Sequence, residues 1–161
     1  MSAKLRLAIG AFYDADRLAS TLRDFVLLGL LPDDIWLLTN AELDEARAAL
    51  QTALETCGSL FAARAKSAAQ AELIPDAPLV FCTHTPVLHL LQRATTATGA
   101  TCLEALFGGE IGMEIKAHVR NGAMLAVAKA ETPRLQDHCV RILLRHSLHT
   151  VHSEECGYAS A

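Results

Sequence analysis

The apolar positions near the start of the chain follow the pattern of a strand, a helix and a second strand. Residues 4–10 are a short run with alternating apolar positions, and the segment after Asp14 repeats apolar residues three and four positions apart. Asp14 is a suitable N-cap, and Gly29 is a suitable residue to end the helix. A second apolar run, residues 35–38, completes a βαβ unit over residues 4–40.

The end of the chain repeats this plan. An apolar strand precedes Thr132, which caps a second predicted helix, and residues 148–152 are predicted as the last strand. When Arg17 is placed on Arg134, the apolar faces of the two helices and both junctions between strand and helix coincide. This agreement indicates an internal duplication, with the second βαβ unit at residues 122–153.

Two βαβ units with right-handed crossovers pair most simply into a four-stranded antiparallel sheet with both helices on one face. We therefore expect an α+β fold of the ferredoxin-like, split βαβ type, in a single domain over residues 1–161 that ends in a short tail, 154–161. The first strand carries apolar residues on both faces, among them Leu7 and Ala8, so we expect something to pack on the open face of the sheet.

The segment between the two units, residues 41–121, predicts a long and mainly helical insertion. Good helix formers fill the stretch from Glu42 to Ala71, which would be about 45 Å long as one helix at 1.5 Å per residue. Either Gly58 interrupts this helix or its far end meets a partner. Two interpretations stay open: a coiled-coil or hairpin dimer, and packing over the open sheet face. The dimer interpretation assigns the interface to Leu43, Leu50, Leu54, Cys57 and Phe61.

Composition limits the class of protein. The chain has 161 residues, 52% of them hydrophobic, and a net charge of -4. This composition is typical of one folded domain and argues against a binder of nucleic acid, which needs clustered Lys and Arg. Charged residues such as Glu110 and Glu114 make the last helix of the insertion unsuitable for a membrane span. The five cysteines are odd in number and no apolar signal segment is present, so we expect free thiols and a cytoplasmic location.

The strongest candidate chemistry lies around Cys82. Residues 78–82 predict an additional strand, on which Cys82 and His84 share a face, with His89 in the following helix. An imidazole beside a thiol could activate it as a nucleophile. The alternative is a buried cysteine next to a loop histidine, since no third orienting residue is near in sequence. Cys82, His84 and His89 are the candidate ligand-binding residues.

The sequence predicts no metal and no cofactor. The histidines and cysteines near the C-terminus lack the compact paired spacing of a zinc site. Gly108 and Gly109 lack the lysine and hydroxyl residue of a phosphate-binding loop.

The two ends of the chain resemble small bacterial general stress proteins of the heat-induced stress protein type. The resemblance lies in residues 10–14, 31–35 and 120–127, and the glycine-rich residues 108–112 are similar to the family's middle segment. It implies a ferredoxin-like core, a cytoplasmic bacterial protein, an association with stress and no established catalytic machinery.

These observations favour a non-enzymatic protein that self-associates through its helical insertion, most simply as a dimer, and that recruits a protein partner. The alternative is a small-molecule binding or sensor domain, with a pocket between the sheet and the insertion near Cys82, His84 and His89. A third hypothesis, a thiol-dependent enzyme, requires an unusually reactive Cys82.

Overall fold

The computed structural model describes residues 4–58, 61, 69–71, 80–83, 93 and 109–157. These residues contain mixed helix and strand. In chain order the elements are β1 (Lys4–Phe12), α1 (Ala15–Leu28), a 3-10 turn (Pro32–Asp34), β2 (Ile35–Asn40), α2 (Asp44–Thr56), β3 (Ala69–Ala71), β4 (Val80–Cys82), α3 (Gly109–Arg120), β5 (Met124–Ala130), α4 (Pro133–His146) and β6 (Val151–Gly157).

All the strands join one antiparallel sheet in the order β3-β4-β2-β5-β1-β6. The first strand is paired on both sides: Ile9 lies opposite Val127 of β5 on one side and opposite His152 of β6 on the other. The predicted four-stranded antiparallel sheet is therefore confirmed as β2, β5, β1 and β6. The predicted strand near Cys82 is also present, as β4, and β3 adds a further short strand at that edge.

Helix α1 begins and ends where the local sequence predicts. The side chain of Asp14 accepts a hydrogen bond from the backbone N–H of Asp16 at 2.8 Å, which satisfies one of the exposed amides of the first turn. Gly29 ends the helix in the left-handed conformation, with φ of 109°. Leu22 and Phe25 on its inner face are fully buried against the sheet.

Helix α4 follows the same rules at the other end of the chain. The hydroxyl of Thr132 accepts from the backbone N–H of Leu135 at 3.1 Å, and Pro133 occupies the first turn. Its inner face packs in the same core cluster as α1. The last strand differs from the prediction, because it begins at Val151 and continues to Gly157. The predicted tail therefore includes part of β6.

Helix α2 is shorter than the stretch of helix formers from Glu42 to Ala71, for which the sequence predicts either an interruption at Gly58 or a far end that meets a partner. It ends at Thr56, and Gly58 just beyond it adopts a left-handed φ of 103°. The chain is extended again by β3. The left-handed conformation of Gly58 is the usual way for a helix to end, so the interruption at Gly58 is the alternative that the structure supports. The apolar face of α2, with Leu50 and Leu54, packs into the same cluster as α1 and α4.

The second face of the sheet is also buried. Trp36 of β2 and Val127 of β5 are fully buried and lie outside the cluster formed with α1, α2 and α4. Helix α3 packs beside β2 and buries Ile115 and Val119. The expectation that something covers this face is confirmed. Among the described residues, no helix has the length and apolar character needed to cross a membrane.

Candidate functional site

Three ring side chains from distant parts of the chain meet at the end of β1. Tyr13, the residue after β1, forms a hydrogen bond of 2.8 Å between its hydroxyl and Nδ1 of His118 on α3. The ring of His149, just before β6, packs against Tyr13 edge-on with 4.5 Å between centroids. Tyr13 keeps 41% of its surface exposed. It therefore has a fixed hydroxyl and an accessible ring, an arrangement suited to contact with a ligand.

A cleft of about 350 Å³ opens on one side of Tyr13. It lies between Tyr13, the start of α2 and the turn that precedes β5. Gly122 forms this turn with a left-handed φ of 96°, and a Cβ there would approach the side chain of Leu43 at 3.5 Å. The cleft is within the range of small-molecule sites, which are about 300–1,000 Å³. It is lined by Tyr13, Glu42, Leu43, Asp44, Glu45, Ala46, Ala49, Asn121 and Gly122.

The charged groups of this cleft are all carboxylates. Asp44 is paired with Arg47 on the same helix. Glu42 and Glu45 make no side-chain hydrogen bond or ion pair within the described part of the chain. The carboxylates of Asp44 and Glu45 complement the positive end of α2, as is usual for a first helical turn. Their presence disfavours a ligand with net negative charge.

A second cleft, of about 130 Å³, lies on the other side of Tyr13. It is lined by Phe12, Tyr13, Asp14, Arg17, His146, Leu148 and His149. Arg17 donates to the backbone oxygen of His146 at 3.3 Å, and the imidazole of His146 is held by Asp24 with 2.7 Å between Nε2 and Oδ2. This cleft therefore places the guanidinium of Arg17 and the imidazole of His149 beside one carboxylate, that of Asp14, which already caps α1.

Burial raises the pKa of Tyr13 above its ordinary value of 10.0. The phenol is therefore neutral at physiological pH and can donate a hydrogen bond to an acceptor. The hydrogen bond between this hydroxyl and Nδ1 of His118 holds α3 against the end of β1.

The predicted ligand-binding residues lie mostly outside the described residues. The backbone of Cys82 is placed on β4, opposite Leu38 of β2 and Ala69 of β3. His84 and His89 fall in a part of the chain that the structure does not describe. Their prediction as a site stays a prediction.

The five residues predicted as a dimer interface differ in how far the structure buries them. Leu50, Leu54 and Phe61 are at most 2% exposed and belong to the core of their own chain. Cys57 is half-buried, and its thiol donates to the carbonyl oxygen of Ala19 at 3.3 Å. A side chain already buried against its own sheet is not available to a partner, because its apolar surface is already removed from water. Leu43 alone among these five is exposed, and it lines the larger Tyr13 cleft.

The expectation of five free thiols is wrong. Cys57 and Cys139 are free, but Cys156 is disulfide-bonded. Burial raises the pKa of Cys57 and of Cys139, so neither of these two thiols is activated as a thiolate nucleophile. Across the described ranges, no group of three or more histidine, cysteine or acidic residues is arranged to hold a metal ion.

Sequence reasoning missed Tyr13 and His118 because they are 105 positions apart and neither belongs to a motif. The histidine-rich C-terminus was noticed, but nothing in its spacing indicates that His149 meets Tyr13. No protein-family model, curated protein or solved structure matches the chain.

Proposed function

We propose that the protein is a non-enzymatic binding domain that holds a small molecule against Tyr13. The observation that carries this proposal is the position of Tyr13 between two clefts, with its ring exposed and its hydroxyl held by His118. A rigid aromatic side chain with an oriented hydroxyl loses little entropy on binding, because its conformation is already restricted. The sequence analysis gives a small-molecule pocket near Cys82 as its alternative. The pocket proposed here lies instead beside Tyr13, at the start of the insertion.

The ligand class follows from the lining. The exposed surfaces of Tyr13 and Leu43 favour an apolar body, and the unpaired carboxylates of Glu42 and Glu45 favour a neutral or cationic group over an anion. The smaller cleft supplies Arg17 and His149 to a hydrogen-bond acceptor on the same ligand. A compact molecule with an apolar body and no net negative charge fits these features.

Binding is favoured over catalysis by the partners of the imidazoles. His118 is bonded to Tyr13 and His146 to Asp24, and within the described ranges neither bonds to a serine, threonine or cysteine side chain. The buried hydroxyl of Ser147 donates to the carbonyl oxygen of Ala11 at 2.6 Å, so it serves the fold. A nucleophile hydrogen-bonded to an oriented base is the usual sign of covalent catalysis. The imidazole of His152 does meet a hydroxyl, that of Thr150, with 2.5 Å between Nε2 and Oγ1, and it also faces Glu114 at 3.6 Å. Thr150 is only 6% exposed, so its hydroxyl is shielded from a substrate.

The proposed architecture is ferredoxin-like, with an insertion over residues 41–121. It is supported by the order β2-β5-β1-β6, in which two βαβ units interleave their strands, and by the presence of α2, β3, β4 and α3 between them. Membership of the general stress protein family and self-association stay predictions.

The test begins with native mass spectrometry of untagged protein and a thermal-shift screen of small neutral and cationic compounds. A ligand at a hundred times its Kd stabilises the folded state by about 2.7 kcal/mol. We expect a stabilising compound to act on the wild type and on Met113→Ala, a matched change at a residue 66% exposed on α3, but not on Tyr13→Ala. No retained mass and no stabilising compound, or equal stabilisation of Tyr13→Ala, would overturn the proposal.

A further inference from the structure

A groove runs between α1 and α4 on the outer side of the helical layer. It encloses about 410 Å³ and is lined by Asp24, Leu27, Leu28, His138, Arg141, Ile142 and Arg145. Leu27 is 84% exposed, the most exposed of the large hydrophobic side chains among the described residues. The groove shares no lining residue with the two clefts at Tyr13. Together with Leu28, Leu27 leaves apolar surface beside this groove that another molecule could cover.

The same helical layer leaves further apolar side chains in water. Leu31, in the loop after α1, is 65% exposed, and Leu144 of α4 is 62% exposed. Both flank elements that form the groove. The exposed apolar side chains of this layer are therefore not confined to Leu27.

The acidic side chain of the groove has ion-pair partners, whereas two of its basic side chains have none among the described residues. Its carboxylate, Asp24, is engaged by His146 at 2.7 Å and by Arg145 at 3.4 Å. Arg141 and His138 make no hydrogen bond or ion pair with any described residue. The groove therefore combines apolar side chains with a guanidinium that has no partner in the described part of the chain. A complementary ligand would carry apolar groups and negative charge together.

We propose that this groove docks an acidic amphipathic helix of another protein. Apolar residues at helical spacing would cover Leu27 and the half-buried Leu28, while carboxylates one turn away would pair with Arg141. A planar guanidinium can donate two parallel hydrogen bonds to one carboxylate, so this pair adds orientation as well as attraction. The proposal is independent of the small-molecule site.

The test uses a fluorescent synthetic peptide of about 18 residues, long enough to form a helix, with leucine on one face and glutamate on the other. A second peptide carries lysine in place of every glutamate. We expect the glutamate peptide to bind at least about tenfold more tightly in fluorescence anisotropy, and its binding to weaken as salt screens the charges.

Two variants locate the peptide on the groove. Leu27→Asp and Arg141→Glu should each weaken the glutamate peptide at least about tenfold, whereas Met113→Asp, at a similarly exposed apolar residue of α3, should not. Leu27 and Arg141 are both exposed, so far-ultraviolet circular dichroism should report native structure for both variants.

Three outcomes would overturn the proposal: no binding of the glutamate peptide at millimolar concentration, equal binding of the lysine peptide, or equal loss of binding in Met113→Asp. Sedimentation of the wild type and Leu27→Asp supplies a fourth. A dimer that Leu27→Asp dissociates would show that a second copy of the chain occupies the groove.

Discussion

Leu143 of α4 lies directly over Gly10 of β1. A Cβ on residue 10 would come within 2.8 Å of Cδ2 of Leu143, closer than such atoms approach in folded proteins. Both residues are buried, Gly10 on a strand that is paired on both sides and Leu143 on the helix that covers it. The missing side chain of Gly10 therefore sets how closely α4 approaches the sheet, which is a packing role for glycine in a strand.

This contact predicts the effect of Gly10→Ala. The added methyl group would push Leu143 out of its position in a core with little free volume, so we expect a loss of about 1–3 kcal/mol in the free energy of unfolding. Urea denaturation of the purified variant measures it.

A double-mutant cycle shows whether Leu143 is the residue responsible. Leu143→Ala alone should cost about 2–5 kcal/mol, because it leaves a cavity. In the Gly10→Ala background it should cost clearly less, since the shortened side chain relieves the clash. Additive losses would contradict the assignment.

The burial of α2 predicts different results for two leucines that the sequence placed on one interface. Leu50 is fully buried and Leu43 is 38% exposed. We expect Leu50→Ala to lower the free energy of unfolding by about 2–5 kcal/mol and Leu43→Ala by less than about 1 kcal/mol. Leu50→Glu should leave no folded protein, because it buries a carboxylate without a partner.

Thermal or urea denaturation of the two alanine variants provides the comparison, with sedimentation of both as a check on assembly. Equal losses at Leu50 and Leu43, with a folded Leu50→Glu protein of reduced mass in sedimentation, would restore the interface interpretation.

The two ends of the chain were predictable because their signals are local. Asp14, Gly29 and Thr132 act on backbone groups within a few residues, so the sequence shows the start and end of each helix directly. The shared pattern of the two units then leads to four paired strands.

The sequence leaves the packing of the middle segment open for a physical reason. An apolar stripe such as that of Leu50 and Leu54 has the same spacing whether it meets a sheet of its own chain or a second helix. Periodicity reports that a face is buried and does not identify what buries it. The Tyr13 site was missed for a related reason, since Tyr13, His118 and His149 become neighbours only after three separate elements have packed.

The disulfide at Cys156 predicts a thiol count. The chain has five cysteines, and one disulfide uses two of them, so three thiols should react in denaturant without reductant. All five should react after reduction. Five reactive thiols in a sample never exposed to reductant would show that the bond does not form in the protein as purified.

Reduction should also lower stability. A native disulfide restricts the unfolded chain, and losing one costs about 2–5 kcal/mol in small domains. Urea denaturation with and without reductant should therefore give different midpoints for the wild type and coincident midpoints for Cys156→Ser. Coincident midpoints in the wild type would contradict this prediction.

The last prediction concerns pH and Cys139. Burial of this thiol, with the charge of Asp34 acting in the same direction, raises its pKa from 9.0 to about 11. The thiolate is therefore favoured in the unfolded chain, where the thiol is in water. The resulting stabilisation is fully present below pH 9 and is lost as pH rises towards about 11.

Comparison with Cys139→Ala isolates this group, because every other titrating side chain is common to both proteins. A shift of about two pKa units corresponds to about 3 kcal/mol at most. The free energy of unfolding of the wild type, measured in urea from pH 8 upwards, should therefore fall more steeply than that of Cys139→Ala above pH 9. Parallel curves over this range would mean that the thiolate is as well accommodated in the folded core as in water.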